Sequence, residues 1–264
     1  MKVNRLKISA LGKRLGPRQV LSEIHLEVGQ GEICAVVGPN GAGKTTLLLC
    51  LMGLRRRDSG QICVNGISHD DPAIRSQWRH TGFLPQSPQF YPHLTLREHL
   101  TFVAQIYGGG STAALHRRID EELRGFAIED LADHFPEGLS RGEKLKAALI
   151  STWLHSPSLL LYDEPDTALD EAARRRLTNR LRQLAAGGGT VLLTTHDLPL
   201  VEALGGRLAV LAGGRLLFDG RLQDLRLALH AGEAEKASDL YQELLRRHYP
   251  ERLQTKEASL ELLH

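Results

Sequence analysis

The stretch that decides the fold is Gly38-Pro39-Asn40-Gly41-Ala42-Gly43-Lys44-Thr45-Thr46. It follows the apolar run Ile33 to Val37 and leads into Leu47, Leu48 and Leu49, an order of strand, glycine turn and helix start. The spacing from Gly38 to Gly43, Lys44 and Thr45 is that of a phosphate-cradling loop. Glycine lets successive backbone N–H groups surround an anion without Cβ clashes, and a helix beginning near Lys44 aims its positive end at the same anion. Lys44 then reaches the outer phosphates, and the Thr45 hydroxyl ligates a Mg2+ ion that keeps most of its water. A glycine-rich turn with a solvated lysine would not need the strand before it and the helix after it.

Working outward, Val3 to Val28 alternate loosely in polarity, which predicts half-exposed antiparallel strands in a small β layer beside the loop. Arg55 to Asp58 make a charged helix exit, Gly60 to Gly66 a short strand closed by a turn, and Thr81 to Pro85 a strand ending at Gln86. From Pro92 the period turns helical. Leu96, Leu100, Val103 and Tyr107 share a face, and Thr95 with Glu98 has capping-box spacing. A helical insert follows, past the hinge or loop Gly108 to Gly110, through Ala113 to Phe126 and on to Phe135. Then Leu159 to Asp163 reads as a buried strand, Ala172 to Ala185 as a helix, Thr190 to Thr195 as a strand, and Leu208 to Phe218 as a hairpin around Gly213 and Gly214. Strands alternating with helices make a mostly parallel sheet whose ligands gather at the carboxyl ends. The predicted class is therefore α/β: a mostly parallel core sheet, a small antiparallel layer and an inserted helical subdomain at about 88–155, within a domain spanning 1–230. A helical extension occupies 231–264, where Leu240, Tyr241, Leu244 and Leu245 are spaced to pack on their own domain.

Composition bounds the function. A chain of 264 residues, 42% hydrophobic, 24% charged and net +2, carries no strong field for nucleic acid or an anionic membrane surface. Cys34, Cys50 and Cys63 are odd in number and widely spaced, which suits reduced thiols in a cytosolic compartment. The start, MKVNRLKISA, lacks the apolar core of a secretion signal, and the longest apolar run, Leu47 to Met52, is too short to span a bilayer. Work at a membrane would need a partner.

The strand Leu159 to Asp163 ends in two carboxylates. In a phosphate-loop protein Asp163 can hold the Mg2+ shell, and Glu164 can orient and polarise a water. The strand ending at Thr195 delivers His196 to the same sheet edge, where an imidazole can meet the γ-phosphate or the water. Between them lies Leu139-Ser140-Arg141-Gly142-Glu143. Ser140 and Glu143 have capping-box spacing, which needs no function, yet a helix N-terminus with a free hydroxyl and the Gly142 N–H is also an anion site.

Nearly the whole chain resembles the nucleotide-binding subunit of an ABC transporter, with motifs in that family's order and approximate spacing. The resemblance implies an ATPase with ATP and Mg2+. Gly38 to Thr46 is then Walker A, Gln86 the Q-loop glutamine that also approaches the metal, and Leu139 to Glu143 the signature. Leu159 to Asp163 is Walker B, Glu164 the catalytic base, Ala168 to Asp170 the D-loop and His196 the switch histidine. It further implies that two cassettes sandwich two ATP molecules, with Ser140 and Gly142 of one facing Lys44 of the other. Three departures stand out. Arg141 and Glu143 replace the Gly and Gln that the family most often has, as in cassettes that drive export through separate membrane subunits. Leu15 stands where an aromatic usually stacks on adenine, and since such stacking contributes about 1–3 kcal/mol, weaker adenine affinity is expected.

The expected partners are a second cassette, as a homodimer, and an integral membrane permease that holds the protein at the inner face of the cell membrane. Phe90, Tyr91 and Pro92 lie where the family presents a groove to such a partner, and the tail Ser259 to Leu263 faintly resembles exporter tails. The alternative weighed is a soluble ATPase of the same family acting on ribosomes or DNA, but the long coiled-coil inserts and basic extensions usual there are not visible.

Overall fold

The computed structural model describes residues 4–108, 112–232 and 235–249, so Gly109, Gly110 and Ser259 to Leu263 lie outside the described residues. In chain order its elements are β1 (Asn4–Leu15), β2 (Arg18–Gly29), β3 (Ile33–Val37), α1 (Lys44–Leu51), β4 (Ser59–Val64), β5 (Ile67–Ser68) and β6 (Thr81–Leu84). The helices α2 (Leu96–Ile106), α3 (Thr112–Gly125) and α4 (Arg141–Trp153) follow. The chain closes with β7 (Leu159–Asp163), α5 (Glu171–Ala186), β8 (Thr190–Thr195), α6 (Leu198–Leu204), β9 (Arg207–Ala212), β10 (Arg215–Arg221), α7 (Leu222–Leu229) and α8 (Ala237–His248).

Among the described residues two sheets form, one antiparallel in the order β2-β1-β4-β5 and one in the order β10-β9-β3-β8-β7-β6. The second is parallel except for the β9–β10 hairpin, which turns at Gly213 and Gly214 as expected. The central strands β3, β7 and β8 are buried at every position, which is why they read as continuous apolar runs. Their side chains alternate between two cores. Val36, Leu161 and Leu192 face α1 and the antiparallel sheet, whereas Ala35, Leu160 and Leu193 face the helices on the opposite side.

The helical segment shares one continuous core with that second face, Leu84 and Tyr162 clustering with Leu100, Ile119 and Trp153. Helix α2 opens with the Thr95–Glu98 capping box. Its buried face is Leu96, His99, Leu100 and Ala104 rather than one running through Tyr107, because Tyr107 is the residue that ends the helix and lies 38% exposed, stacked on His155 at 4.7 Å. Helix α8 buries Leu240, Tyr241, Leu244 and Leu245 in the same core. Sequence reasoning missed a 3-10 helix at Pro72–His80, whose single buried residue, Ile74, leaves no period to detect. Cys34 and Cys50 are buried free thiols and Cys63 is half-buried. Among the described residues no helix is long and apolar enough to cross a membrane.

Candidate functional site

Register assembles the site. Val37 at the end of β3 pairs with Thr195 of β8, and Asp163 at the end of β7 pairs with Thr194. The glycine loop, His196 and the Asp163-Glu164 pair therefore leave one sheet edge side by side, the carboxyl edge where ligands of parallel sheets bind. Leu84 of β6 pairs with Tyr162, so Gln86 follows at that edge too, exposed to solvent.

The loop from Gly38 through Pro39, Asn40, Gly41 and Ala42 to Gly43 closes on α1 when the Leu47 N–H donates to Gly43 O at 2.8 Å. Gly43 has φ 110°, and a Cβ there would lie 2.8 Å from Leu21 Cδ2 and 2.9 Å from Val20 O, so β2 presses against the loop. Lys44 is buried, its Nζ donating to Gly38 O at 2.8 Å and to Pro39 O at 3.4 Å. Thr45 is exposed and Thr46 buried. The β1–β2 tip leans over the loop, with Arg18 Nη2 donating to Gly41 O at 3.2 Å. Leu15, which pairs with Arg18, is 41% exposed at that tip.

Glu164 is the centre of the cluster. Its Oε1 lies 3.7 Å from Lys44 Nζ and 3.7 Å from His196 Nδ1. The residue has φ 52°, a left-handed conformation disfavoured outside glycine, and the surroundings hold it there: its N–H donates to Thr194 O at 3.0 Å. Asp163 is buried, and its Oδ1 accepts from Thr194 Oγ1 at 2.6 Å. Asp166 is also buried; burial pushes its carboxyl above the usual carboxylate range, while the hydrogen bond from Thr195 Oγ1 at 3.1 Å opposes that shift. Arg18, Thr194, Thr195 and Asp166 went unnoticed in the sequence, although a threonine pair ahead of His196 at a sheet edge was a usable signal.

Ser140 and Gly142 do not join this cluster: no hydrogen bond or ion pair among the described residues links them to the glycine loop. Ser140 caps α4, its N–H donating to Glu143 Oε2 at 2.8 Å and its Oγ accepting from the Glu143 N–H at 3.3 Å. These Ser140 bonds hold the Glu143 carboxyl below its ordinary range. A Cβ on Gly142 would lie 2.9 Å from Ala168 O, and Lys146 pairs with Asp170 at 2.7 Å, so the turn packs on the segment after Glu164.

Thr45, Asp163 and Gln86 offer a hydroxyl, a carboxylate and an amide oxygen, and no group of three or more His, Cys, Asp or Glu capable of holding a metal occurs among the described residues. Few, hard oxygen donors fit Mg2+, which takes its remaining ligands from phosphates and water. Just beyond Gln86 a groove of about 390 Å³ is lined by Phe83, Pro88, Phe90, Tyr91, His99 and Val103. Phe90 is half-buried against the core and Tyr91 is 50% exposed. Burial pushes His99 down to about 4, and its Nδ1 accepts from the Tyr91 N–H at 3.4 Å.

The profile described as ABC transporter matches residues 21–167. The chain is 31% identical over 222 residues to the glutamine transport ATP-binding protein GlnQ of Escherichia coli (strain K12), covering 83% of this chain and 92% of that one. It is 34% identical over 220 residues to the Nod factor export ATP-binding protein I of Cupriavidus pinatubonensis, covering 83% and 67%. Among solved structures, an ATP-binding subunit of an ABC transporter superposes with TM-score 0.84 at 33% identity, covering 90% of this chain and 98% of that one. The cassette MJ0796, dimeric in a post-hydrolysis state bound to ADP and Pi, superposes with TM-score 0.73 at 26% identity, covering 82% and 98%.

Proposed function

Because the chain belongs to the ABC transporter family and is an ATPase of that family, we propose that it is the subunit whose ATP hydrolysis drives a separately encoded integral membrane permease, in the export direction. The observation that carries the chemistry is the Glu164 carboxylate, set between the Lys44 ammonium and the His196 imidazole at the carboxyl edge of the sheet.

The glycine-loop N–H groups and Lys44 hold the β- and γ-phosphates of ATP. Thr45, Asp163 and Gln86 hold Mg2+, which when bound neutralises charge on those phosphates. Glu164 accepts a hydrogen bond from the attacking water and aims it in line, and His196 contacts the γ-phosphate from the other side. Catalysis on this account is positioning and electrostatics, with no covalent intermediate on the protein. Among the described residues Ser140 and Gly142 make no hydrogen bond or ion pair to the glycine loop of their own chain, which supports a site completed by the signature turn of a second copy. The dimeric relative supports the same reading. ATP binding then closes the pair and hydrolysis releases it.

The domain from 1 to 230 carries this chemistry, with about 88–155 as its helical arm and 231–264 as an extension. The groove at Phe90 and Tyr91, directly after Gln86, is the seat for the permease, through which the protein sits at the cytoplasmic face of the membrane. Relatives of similar identity include a sulfate/thiosulfate import ATP-binding protein as well as Nod factor export ATP-binding proteins, so the export direction rests on the signature residues Arg141 and Glu143. Leu15 at the hairpin tip lowers adenine affinity without removing hydrolysis. Glu164→Gln tests the chemistry: turnover should nearly vanish while ATP binding persists and a dimer accumulates, whereas unchanged turnover would remove Glu164 from its role. Affinity capture from detergent-solubilised membranes should recover a polytopic protein; ribosomal proteins in its place would favour the ribosome-acting alternative.

A further inference from the structure

Asp166 is a carboxylate 1% exposed in a site whose mechanism does not use it. Burying a carboxylate is costly unless its hydrogen bonds are made, so the side-chain donor that reaches it is informative. Thr195 Oγ1, itself fully buried, donates to Asp166 Oδ1 at 3.1 Å. That commits the hydroxyl proton and leaves the oxygen free to accept, and it accepts from the Asp197 N–H at 2.9 Å. Thr195 and Asp197 flank His196, so a single hydroxyl ties the backbone on both sides of the imidazole. The far side is anchored as well: Asp197 Oδ1 caps α6 by accepting from the Leu200 N–H at 3.1 Å, and Asp197 Oδ2 pairs with Arg174 at 2.9 Å. On its own strand end Asp166 follows Glu164 by one proline, Pro165, within the segment that the Glu164 N–H pins to Thr194 O. The His196 side chain is 59% exposed, so the backbone that carries it does much to fix its place.

We propose that Asp166 is a positioning residue for hydrolysis: through the Thr195 hydroxyl it locks the turn carrying His196 against the segment carrying Glu164 and so sets the 3.7 Å between imidazole and carboxylate. This rests on the hydrolytic reading of Glu164 and His196. The Thr195–Asp166 bond accompanies the Thr194–Asp163 bond, so adjacent threonines of β8 serve two aspartates with different tasks, one at the end of β7 and one in the segment after it.

The test is steady-state ATP hydrolysis by the full chain, in wild type, Asp166→Ala, Thr195→Val and Thr195→Ser, each also placed in a His196→Ala background. Misplacing a reacting group by about 1 Å can cost roughly 100-fold, so Asp166→Ala and Thr195→Val should each lower kcat at least about tenfold with KM for ATP within about twofold. Thr195→Ser, which keeps the hydroxyl, should restore most of the rate. In the His196→Ala background the further loss from Asp166→Ala should shrink to about twofold or less, because residues acting through one another are not additive. If Asp166→Ala costs the same factor with and without His196, or if KM rises in step with the fall in kcat, the positioning role is overturned. Thr195→Val nearly preserves volume, so it decides the matter even if Asp166→Ala folds poorly. Glu164→Gln run alongside separates the two readings: full turnover there overturns the hydrolytic assignment itself, while its inactivity with an additive Asp166→Ala loss overturns only the positioning role.

Discussion

Gly43→Ala and Gly41→Ala form a matched pair for asking whether the antiparallel sheet shapes the nucleotide loop. Both glycines have positive φ, 110° and 77°, and a left-handed conformation costs an L-residue roughly 1–2 kcal/mol. At Gly41 the nearest atom to an added Cβ is Arg18 Nη2 at 3.7 Å, the far end of a flexible side chain, so that backbone term is the whole expected loss. At Gly43 the Cβ would also press on Leu21 Cδ2 at 2.8 Å and on the Val20 carbonyl at 2.9 Å, the latter fixed within β2. Overpacking of this kind costs roughly 1–3 kcal/mol, which brings the total at Gly43 to about 2–5 kcal/mol. That is a large share of the roughly 5–15 kcal/mol by which a domain is stable. Urea unfolding followed by the fluorescence of buried Trp153 measures both variants, with the slope m as a control on cooperativity. A Gly43→Ala loss no greater than that of Gly41→Ala would refute the packing of β2 against the loop.

Two further outcomes follow from burial alone. His99 is held near 4 in the fold against 6.5 in the unfolded chain, so the folded state excludes a proton that the unfolded state accepts; stability is intact above pH 6.5 and falls toward pH 4, by roughly 3–4 kcal/mol at most. His99→Gln should flatten that part of the pH–stability curve, and an unchanged slope would place the titrating group elsewhere. Burial pushes Cys34 to about 12 and Cys50 to about 11, whereas Cys63 is only half-buried. A thiol reagent at neutral pH should therefore label Cys63 alone in the native protein and all three cysteines in denaturant, and native labelling of Cys34 would contradict the core assignment.

How much of this was legible in the sequence depended on the range of the interaction. Gly38 to Thr46 and Leu159 to Glu164 announce themselves because a strand buried on both faces must be continuously apolar and the motif begins where it stops. The Ser140–Glu143 and Thr95–Glu98 boxes are equally local, and both formed. What stayed hidden was non-local. Nothing near Gly43 in sequence says that Val20 and Leu21 close on it, and nothing near Asp166 says that a hydroxyl on β8 awaits it. Threonine is ordinary in strands, so Thr194 and Thr195 read as strand formers until register set Thr194 opposite Asp163 and a hydrogen bond joined Thr195 to Asp166. Tyr107 was misplaced for a local reason, since period alone does not say where a helix ends.

On the proposed reading the nucleotide site is composite, the signature turn of one chain completing the site of another. It is tested most directly by the ATPase rate of the purified protein as a function of its own concentration, in wild type and in Ser140→Arg. A composite site gives a rate per molecule that rises with concentration and collapses in the variant. A rate independent of both would make Ser140 a helix cap and nothing more, and would contradict the composite site.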